Sequence, residues 1–116
     1  MNDQILKPSK KEIPMPAYMI SHVTVTNKEK FDSYFDKTRA VGAKYGAKPV
    51  AIGAQPKMLN GESDGHQMVV VAEFESMEAL DTWHNSDEYQ ALVPLREEGS
   101  IQHMVAYEAR PLPQAQ

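Results

Sequence analysis

Hydrophobic and polar residues alternate along two stretches near the ends of the chain, which is the pattern of a β-strand with one face toward a core. These stretches are Ala17–Val25 and Ser100–Ala109. Met68–Phe74 is apolar at nearly every position, which is typical of a strand covered on both faces, and we predict it at the centre of a sheet. Lys48–Ala54 is a weaker strand pattern, and the prolines near both of its ends favour an edge position.

A helix is predicted between the first two strands. Apolar residues recur there at a spacing close to 3.6 residues, the period of a helix with one buried face. Thr26 is expected to cap the start of this helix, with Asn27 as the alternative, and Gly46 to end it in a left-handed conformation. Between the second and third strands, one Asn-Gly and one Asp-Gly dipeptide predict a loop or hairpin over residues 57–67.

The helical pattern after the third strand is in two pieces. Ser76 is predicted to cap a helix that runs to about His84, and Ser86 is predicted to cap a second, shorter helix. We expect Pro94 to kink or end this second helix, because proline lacks the amide hydrogen that a helix interior requires. Gly99 is predicted to close it before the last strand.

The predicted element order, β-α-β-β-α-β, is typical of an α+β fold of the ferredoxin-like type. A four-stranded antiparallel sheet then carries the helices on one face, and we expect the first and third strands to be parallel neighbours joined by a right-handed crossover. The first strand is predicted to lie beside the last with paired residue numbers that sum to about 125. In this register His22 lies opposite His103.

The helices of such a fold cover only one face of the sheet, yet Met68–Phe74 is apolar on both of its sides. We therefore predict a homodimer through the sheet faces, because a second copy needs only one complementary surface. Residues 16–109 are predicted to form this folded domain. Residues 1–15 and 110–116 are predicted to be tails, and the first tail is either flexible or lies along a partner subunit.

The composition excludes several classes of protein. The 116 residues include 0 Cys, which excludes disulfides, thiolate metal sites and cysteine nucleophiles. Asp+Glu 16 exceed Lys+Arg 12, and the net charge of -4 argues against binding to nucleic acid. No apolar run approaches the ~20 residues of a membrane span, and no secretory signal pattern opens the chain. We therefore predict a cytoplasmic protein with no nucleic acid and no membrane among its partners.

Three segments resemble a known family: PAYMISHVTVTN, the helix end at Tyr45-Gly46 and, most specifically, VVVAEFESMEALDTWHNSDEYQALVPLRE. Over about Pro16–Ala109 the chain resembles the domain of unknown function 1330 family, which belongs to the dimeric α+β barrel superfamily. It departs from the family at Ala47, where members often carry a second glycine, and at His84, where many carry tyrosine. The resemblance implies the fold and the dimer, but the family has no assigned activity, so no catalytic residue carries over from it.

The predicted pairing of His22 and His103 is the first candidate for chemistry. Cross-strand partners have Cβ atoms about 5 Å apart, close enough for two imidazoles to line a ligand pocket or relay a proton. Two alternatives are that the two histidines share a metal ion, which is less favoured, and that they have a purely structural role. A register slip of one residue would place the two histidines on opposite faces of the sheet. His66, in the predicted loop, is interpreted as a solvated surface residue.

A second cluster lies where the two helical pieces meet. Trp83, His84 and Tyr89 are predicted there to wall a crevice for a small planar or carboxylate ligand. Arg96 would offer its guanidinium to a carboxylate of that ligand. In the alternative interpretation, Trp83 and Tyr89 are buried core residues and Arg96 pairs with a nearby glutamate.

The sequence therefore predicts a dimer that binds a small organic ligand between the sheet and the helices, with no cofactor and no metal. One alternative is enzymatic, because the superfamily that the chain resembles includes cofactor-free monooxygenases and isomerases that act on small rings. The other alternative is a structural or regulatory dimer without a ligand site. The predicted catalytic residues are His22, His84 and His103, and the predicted ligand-binding residues are Tyr18, Trp83, Tyr89 and Arg96.

Overall fold

A computed structural model of the chain describes residues 15–110, which form four strands and four helices. The elements are β1 (Ala17–Val25), α1 (Lys28–Lys44), β2 (Lys48–Ala54), β3 (Met68–Phe74), α2 (Met77–His84), α3 (Asp87–Gln90), α4 (Val93–Gly99) and β4 (Ser100–Glu108). The predicted tails, residues 1–15 and 110–116, lie outside the described residues apart from the single residue of each that adjoins the fold.

The four strands form one antiparallel sheet in the order β2-β3-β1-β4. The α+β, ferredoxin-like prediction is therefore confirmed, with β1 and β3 as the two central strands. The register of β1 and β4 pairs His22 with His103 and Ile20 with Val105, so the predicted sum of 125 is also confirmed. The parallel pairing predicted for the first and third strands is wrong, because β1 and β3 are antiparallel neighbours. The crossover through α1 instead carries the chain from β1 over β3 to the edge strand β2.

Helix α1 is capped by Asn27, the alternative that the sequence offered, so the first choice, Thr26, is wrong. The side chain of Asn27 accepts a hydrogen bond from the Lys30 backbone N–H at 3.1 Å, which satisfies one of the free donors of the first turn. The helix ends before Gly46, whose φ of 86° is the left-handed conformation that glycine adopts without strain. The predicted end of this helix is thus confirmed.

The helical region after β3 is capped by serines as predicted, but its proline acts differently from the prediction. Ser76 accepts from the Ala79 backbone N–H at 3.0 Å, and Ser86 accepts from the Tyr89 backbone N–H at 3.1 Å. Pro94 does not end the helix that Ser86 begins: α3 has already ended at Gln90, and the proline lies in the first turn of α4. Proline is tolerated there because an N–H in the first turn has no partner within the helix.

The face of the sheet that meets the helices carries the buried core. On β1, the residues at odd positions from Ala17 to Val23 point toward the helices and are buried. Aromatic residues fill most of the space between sheet and helices. The buried core residues are Ala17, Met19, Val23, Phe31, Tyr34, Phe74, Leu80, Trp83 and Tyr89.

The opposite face of the sheet is covered by no helix among the described residues, and we call it the open face. Because side chains alternate along a strand, the even positions of β1 and the odd positions of β3 and β4 lie on it. Several of them are apolar and exposed, among them Ile101 at 58%, Val105 at 43% and Tyr107 at 56%. A large exposed apolar surface of this kind marks a site of association. None of the described helices is long and apolar enough to cross a membrane.

Candidate functional site

A cavity of about 530 Å³ lies between helix α1 and the edge of the sheet formed by β2 and β3. Most of its wall is apolar, and small residues of α1 and the two strands leave the space open. Two charged residues of α1, Asp36 and Arg39, are both exposed and also line it. The other lining residues are Met19, Phe35, Thr38, Ala40, Gly42, Ala43, Ala47, Pro49, Ala51, Ile52, Val70, Val71, Ala72, Phe74 and Trp83.

Gly42 permits the close approach of the end of α1 to the floor of this cavity. A Cβ atom at this position would lie 3.2 Å from the Ala47 Cβ and 3.8 Å from the Trp83 Nε1 atom. The first distance is tighter than ordinary van der Waals contact, so a larger residue would push the turn after α1 outward. The glycine therefore keeps the Trp83 indole edge close to the helix.

Trp83 brings an unpaired hydrogen-bond donor to the cavity. Its indole is 4% exposed and packs against Phe74 and Tyr89 with ring centroids at 5.2 and 4.6 Å. Its Nε1 atom is buried and has no hydrogen-bond partner within residues 15–110. The Thr38 Oγ1 atom, also part of the cavity wall, is buried without a hydrogen bond as well. A buried donor left unpaired costs about 1–3 kcal/mol. A ligand that brings an acceptor to this wall would recover that cost.

Tyr89 and Arg96 belong to a buried network next to the cavity rather than to an open crevice. Tyr89 is fully buried, and its hydroxyl lies 2.9 Å from the Tyr34 hydroxyl and accepts from the Arg96 guanidinium at 3.0 Å. Arg96 also pairs with Glu97 at 3.0 Å. These contacts agree with the alternative in which Tyr89 is a core anchor and Arg96 pairs with a glutamate, and the role of both residues in binding a ligand stays a prediction.

The three predicted catalytic histidines lie at two separate places. His84, at the end of α2, packs its ring against Trp83 and Tyr89 at 5.9 and 5.2 Å. His22 and His103 lie across from each other on the open face, on the other side of the sheet. Predicted ligand-binding residue Tyr18 shares that face and is paired with Tyr107 of β4 and Glu73 of β3.

A histidine that the sequence analysis set aside joins the open-face pair. His66 is only 9% exposed, so its interpretation as a solvated surface residue is wrong. Its ring lies 5.0 Å from that of His103 and 6.4 Å from that of His22 between centroids. No local signal marks this residue, because the loop that carries it is placed by a contact between Asp64 and His22, 42 residues apart in the chain. Within residues 15–110, no group of three or more histidine, aspartate and glutamate side chains is arranged to hold a metal ion.

The order of elements and the strand order define a ferredoxin-like α+β protein with a cavity between its sheet and its first helix. The family can also be stated. The chain belongs to the family described as domain of unknown function (DUF1330), whose model matches residues 16–109. No curated protein matches the sequence closely enough to suggest an activity.

Solved structures with the same fold include three informative neighbours. The RPA0582 protein of unknown function from Rhodopseudomonas palustris is 20% identical, with a TM-score of 0.71 over 98% of this chain and 96% of that one. SnoaB, a cofactor-independent oxygenase from Streptomyces nogalater, is 16% identical, with a TM-score of 0.59 over 85% of this chain and 96% of its own. A dimeric protein of unknown function and ferredoxin-like fold from Bacteroides fragilis is 19% identical, with a TM-score of 0.55 over 80% and 95% of the two chains. At these identities the similarity shows the fold alone.

Proposed function

We propose that this protein binds a small, largely apolar organic molecule with one hydrogen-bond acceptor in the cavity between α1 and the sheet. The observation that carries the proposal is the buried Trp83 Nε1–H, which has no hydrogen-bond partner among residues 15–110 and belongs to a side chain of the cavity wall. Buried donors are almost always paired, so an unpaired one on a residue of a cavity wall offers a position for a ligand atom. The volume of about 530 Å³ also lies within the range of small-molecule sites.

The cavity wall indicates the chemistry of the ligand. Its apolar residues favour an aromatic or aliphatic body, and the indole N–H favours a carbonyl, ether or phenol oxygen at one end. Arg39 lines the cavity with its guanidinium 5.8 Å from the centre of the Phe35 ring, so this cation already has an aromatic contact. A neutral ligand therefore fits the wall better than a multiply charged one.

Trp83 is also the means of testing the proposal, because it is the one tryptophan in the sequence. The protein labelled with 15N gives a single indole N–H resonance, which we expect 2-acetylnaphthalene to shift downfield as its carbonyl accepts the hydrogen bond. 2-Ethylnaphthalene has the same ring system without the carbonyl and serves as the matched ligand. We expect it to bind more weakly and to leave the indole resonance without a downfield shift. Equal affinities, or no indole shift with either compound, would contradict the proposal.

A variant that fills the cavity provides the second test. Ala43 is exposed on α1 and lines the cavity, so Ala43→Leu places a larger side chain in the ligand's path while preserving helix propensity. We expect the affinity for 2-acetylnaphthalene to fall about tenfold, or about 1.4 kcal/mol. Ala91→Leu makes the same change at an exposed position outside the cavity and is expected to bind like the native protein. Unchanged binding by the Ala43 variant would place the ligand elsewhere.

The enzymatic alternative rests on fold similarity to the oxygenase SnoaB at 16% identity. Two of the predicted catalytic residues, His22 and His103, lie on the other face of the sheet from this cavity. No described residue of the cavity wall is a histidine, so none of the predicted catalytic residues belongs to this wall. The catalytic roles of the two histidines stay predictions.

We also infer that the open face pairs with the same face of a second copy. The support is the row of exposed apolar residues on β4, to which Ile20 of β1 and Val71 of β3 add apolar neighbours in the middle of the sheet. The Bacteroides fragilis neighbour with the same fold is described as dimeric. Sedimentation equilibrium at micromolar concentration tests the inference: we expect twice the chain mass of 13.0 kDa. A folded protein that sediments with the mass of one chain would contradict it.

A further inference from the structure

A second cavity lies on the open face, beneath the loop that joins β2 to β3. It has a volume of about 480 Å³, and its lining includes His22, Asp64 and His66. The base of the loop is tied to the sheet by two backbone hydrogen bonds, from Gln67 N–H to the Val23 carbonyl at 3.2 Å and from Gln55 N–H to the Gln67 carbonyl at 3.1 Å. The loop is therefore anchored where it places its polar residues over the strands.

Asp64 sets the protonation of the His22 ring. The His22 Nδ1 and Asp64 Oδ2 atoms lie 2.6 Å apart, and the other carboxylate oxygen accepts from the His66 backbone N–H at 2.9 Å. These hydrogen bonds, with the one from His22 first, hold the pKa of Asp64 below its ordinary value, so the group is a carboxylate at neutral pH. A carboxylate only accepts hydrogen bonds, and Nδ1 must therefore carry the proton. The neutral imidazole then has its basic lone pair on Nε2.

His66 closes one side of the same cavity. Its Nδ1 atom lies 2.8 Å from the Thr24 Oγ1 atom, and its ring makes edge contacts with the His22 and His103 rings. Three imidazoles thus lie together above β1 and β4, although they are not arranged around a point that a metal ion could occupy. An orienting carboxylate, an imidazole nitrogen with no hydrogen-bond partner in the part of the chain that the structure describes, and a partly apolar cavity are the components of a general-base site.

We propose that His22, oriented by Asp64, is the general base of a second site that removes a proton from a carbon next to a carbonyl group. Among the described residues, those that line the cavity include Glu62 and Asp64 but no lysine or arginine, so the substrate class is a neutral ketone rather than an anion. Apolar contacts for its hydrocarbon part come from Pro56, Met58, Met68 and Val69. Asp64 is a positioning residue, because it acts on the substrate through His22.

The proposed step is a reversible enolisation. The C–H proton moves to His22 Nε2, the electron pair of that bond becomes the carbon–carbon double bond of the enolate, and the carbonyl pair moves onto oxygen. The imidazolium then returns a proton to the same carbon, which exchanges hydrogen, or to a conjugated carbon, which isomerises the substrate. No oxidant, reductant or further reactant is consumed.

Deuterium exchange tests this step without knowledge of the natural substrate. 2-Tetralone is a neutral bicyclic ketone with activated hydrogens next to its carbonyl, and its exchange in D2O is followed by 1H NMR. We expect the native protein to exceed the rate of an equal concentration of free imidazole about 100-fold, the usual order for a positioned general base. His22→Gln is expected to remove this excess. Asp32→Asn, which changes an exposed, ion-paired aspartate on α1, is expected to keep it.

The role of Asp64 has its own readout. In 15N NMR of the imidazole nitrogens, we expect His22 to carry its proton on Nδ1 in the native protein. In Asp64→Asn we expect His22 to lose this preference and the exchange rate to fall at least about tenfold. Exchange at the level of free imidazole, full exchange by His22→Gln, or an Nε2-protonated His22 in the native protein would each overturn the proposal. The two cavities share no lining residue, so this test is independent of ligand binding near Trp83.

Discussion

Two buried tyrosine hydroxyls join helix α1 to the helices after β3, and only one of them has a charged partner. The Tyr89 hydroxyl contacts both Tyr34 and the Arg96 guanidinium, whereas the Tyr34 hydroxyl has Tyr89 as its hydrogen-bond partner. Tyr89→Phe would leave the Tyr34 hydroxyl and the Arg96 guanidinium without this partner, so we expect it to lower the free energy of unfolding by about 1–3 kcal/mol. Tyr34→Phe leaves the arginine contact intact and is expected to cost about 1 kcal/mol. Urea denaturation measures both, and equal costs would contradict the assignment of Tyr89 as the centre of the network.

The same network predicts how stability changes at alkaline pH. Burial raises the pKa of the Tyr34 hydroxyl well above its ordinary value of 10.0; the neighbouring Tyr89 adds to the effect, and the proximity of Thr38 and Arg96 opposes it. The unfolded chain therefore loses this proton first, so stability that is fully present below about pH 10 falls as the pH rises further. Thermal melts from pH 8 to 11 should show this fall, and Tyr34→Phe should make it shallower. An equal slope in the variant would assign the fall to other groups.

At the scale of single residues, the sequence predicted a pair between two regular strands better than contacts that depend on a loop or on packing between layers. The cross-strand pair of His22 and His103 followed from alternation and register alone. His66 was misjudged because its burial depends on the path of a loop, which no periodic pattern encodes. Trp83 was recognised as a candidate, but the unpaired state of its Nε1 atom depends on small residues from three elements and had no signal in the sequence.

At the scale of elements, nearly every boundary was predictable because each one has a local chemical cause. A serine or asparagine side chain caps the start of three helices, and Gly46 forms the left-handed turn that follows the end of α1. The exception is the segment around Pro94, where the sequence favoured the end of a helix and the structure has the beginning of one. Proline is compatible with the end of one helix and with the first turn of the next. Here α3 ends at Gln90, so Pro94 lies in the first turn of α4, which packs against α1.

Gly99 controls how closely α4 approaches α1. A Cβ atom at this position would lie 2.6 Å from the Phe31 backbone nitrogen, and the Gly99 carbonyl accepts from the Thr26 and Asn27 backbone N–H groups. Because the obstacle is backbone, Gly99→Ala must separate the two helices. We expect it to lower the free energy of unfolding by about 1–3 kcal/mol. Gly53→Ala meets only a Val69 methyl group at 3.3 Å and is the matched control, with a smaller expected loss. Similar melting temperatures for the two variants would contradict this account.

At the scale of the whole molecule, the inferred dimer predicts that the open face decides how many chains associate. Val105 lies in the middle of its strand β4 on that face, so Val105→Glu would place a carboxylate against the apolar surface of a partner. We expect this variant to stay folded by circular dichroism and to sediment as a single chain at micromolar concentration. Leu59→Glu makes the same kind of change at a loop residue that is 87% exposed and should remain dimeric. A dimeric Val105 variant would mean that the chains associate through another surface.

Strand β3 contributes to the walls of both cavities: Met68 and Val69 line the one under the loop, and Val70, Val71 and Ala72 line the one beside α1. No described residue lines both. Substitutions that reshape one cavity leave the wall of the other untouched. Descendants of this protein can thus acquire a new ligand on one side of the sheet while they inherit the opposite side unchanged.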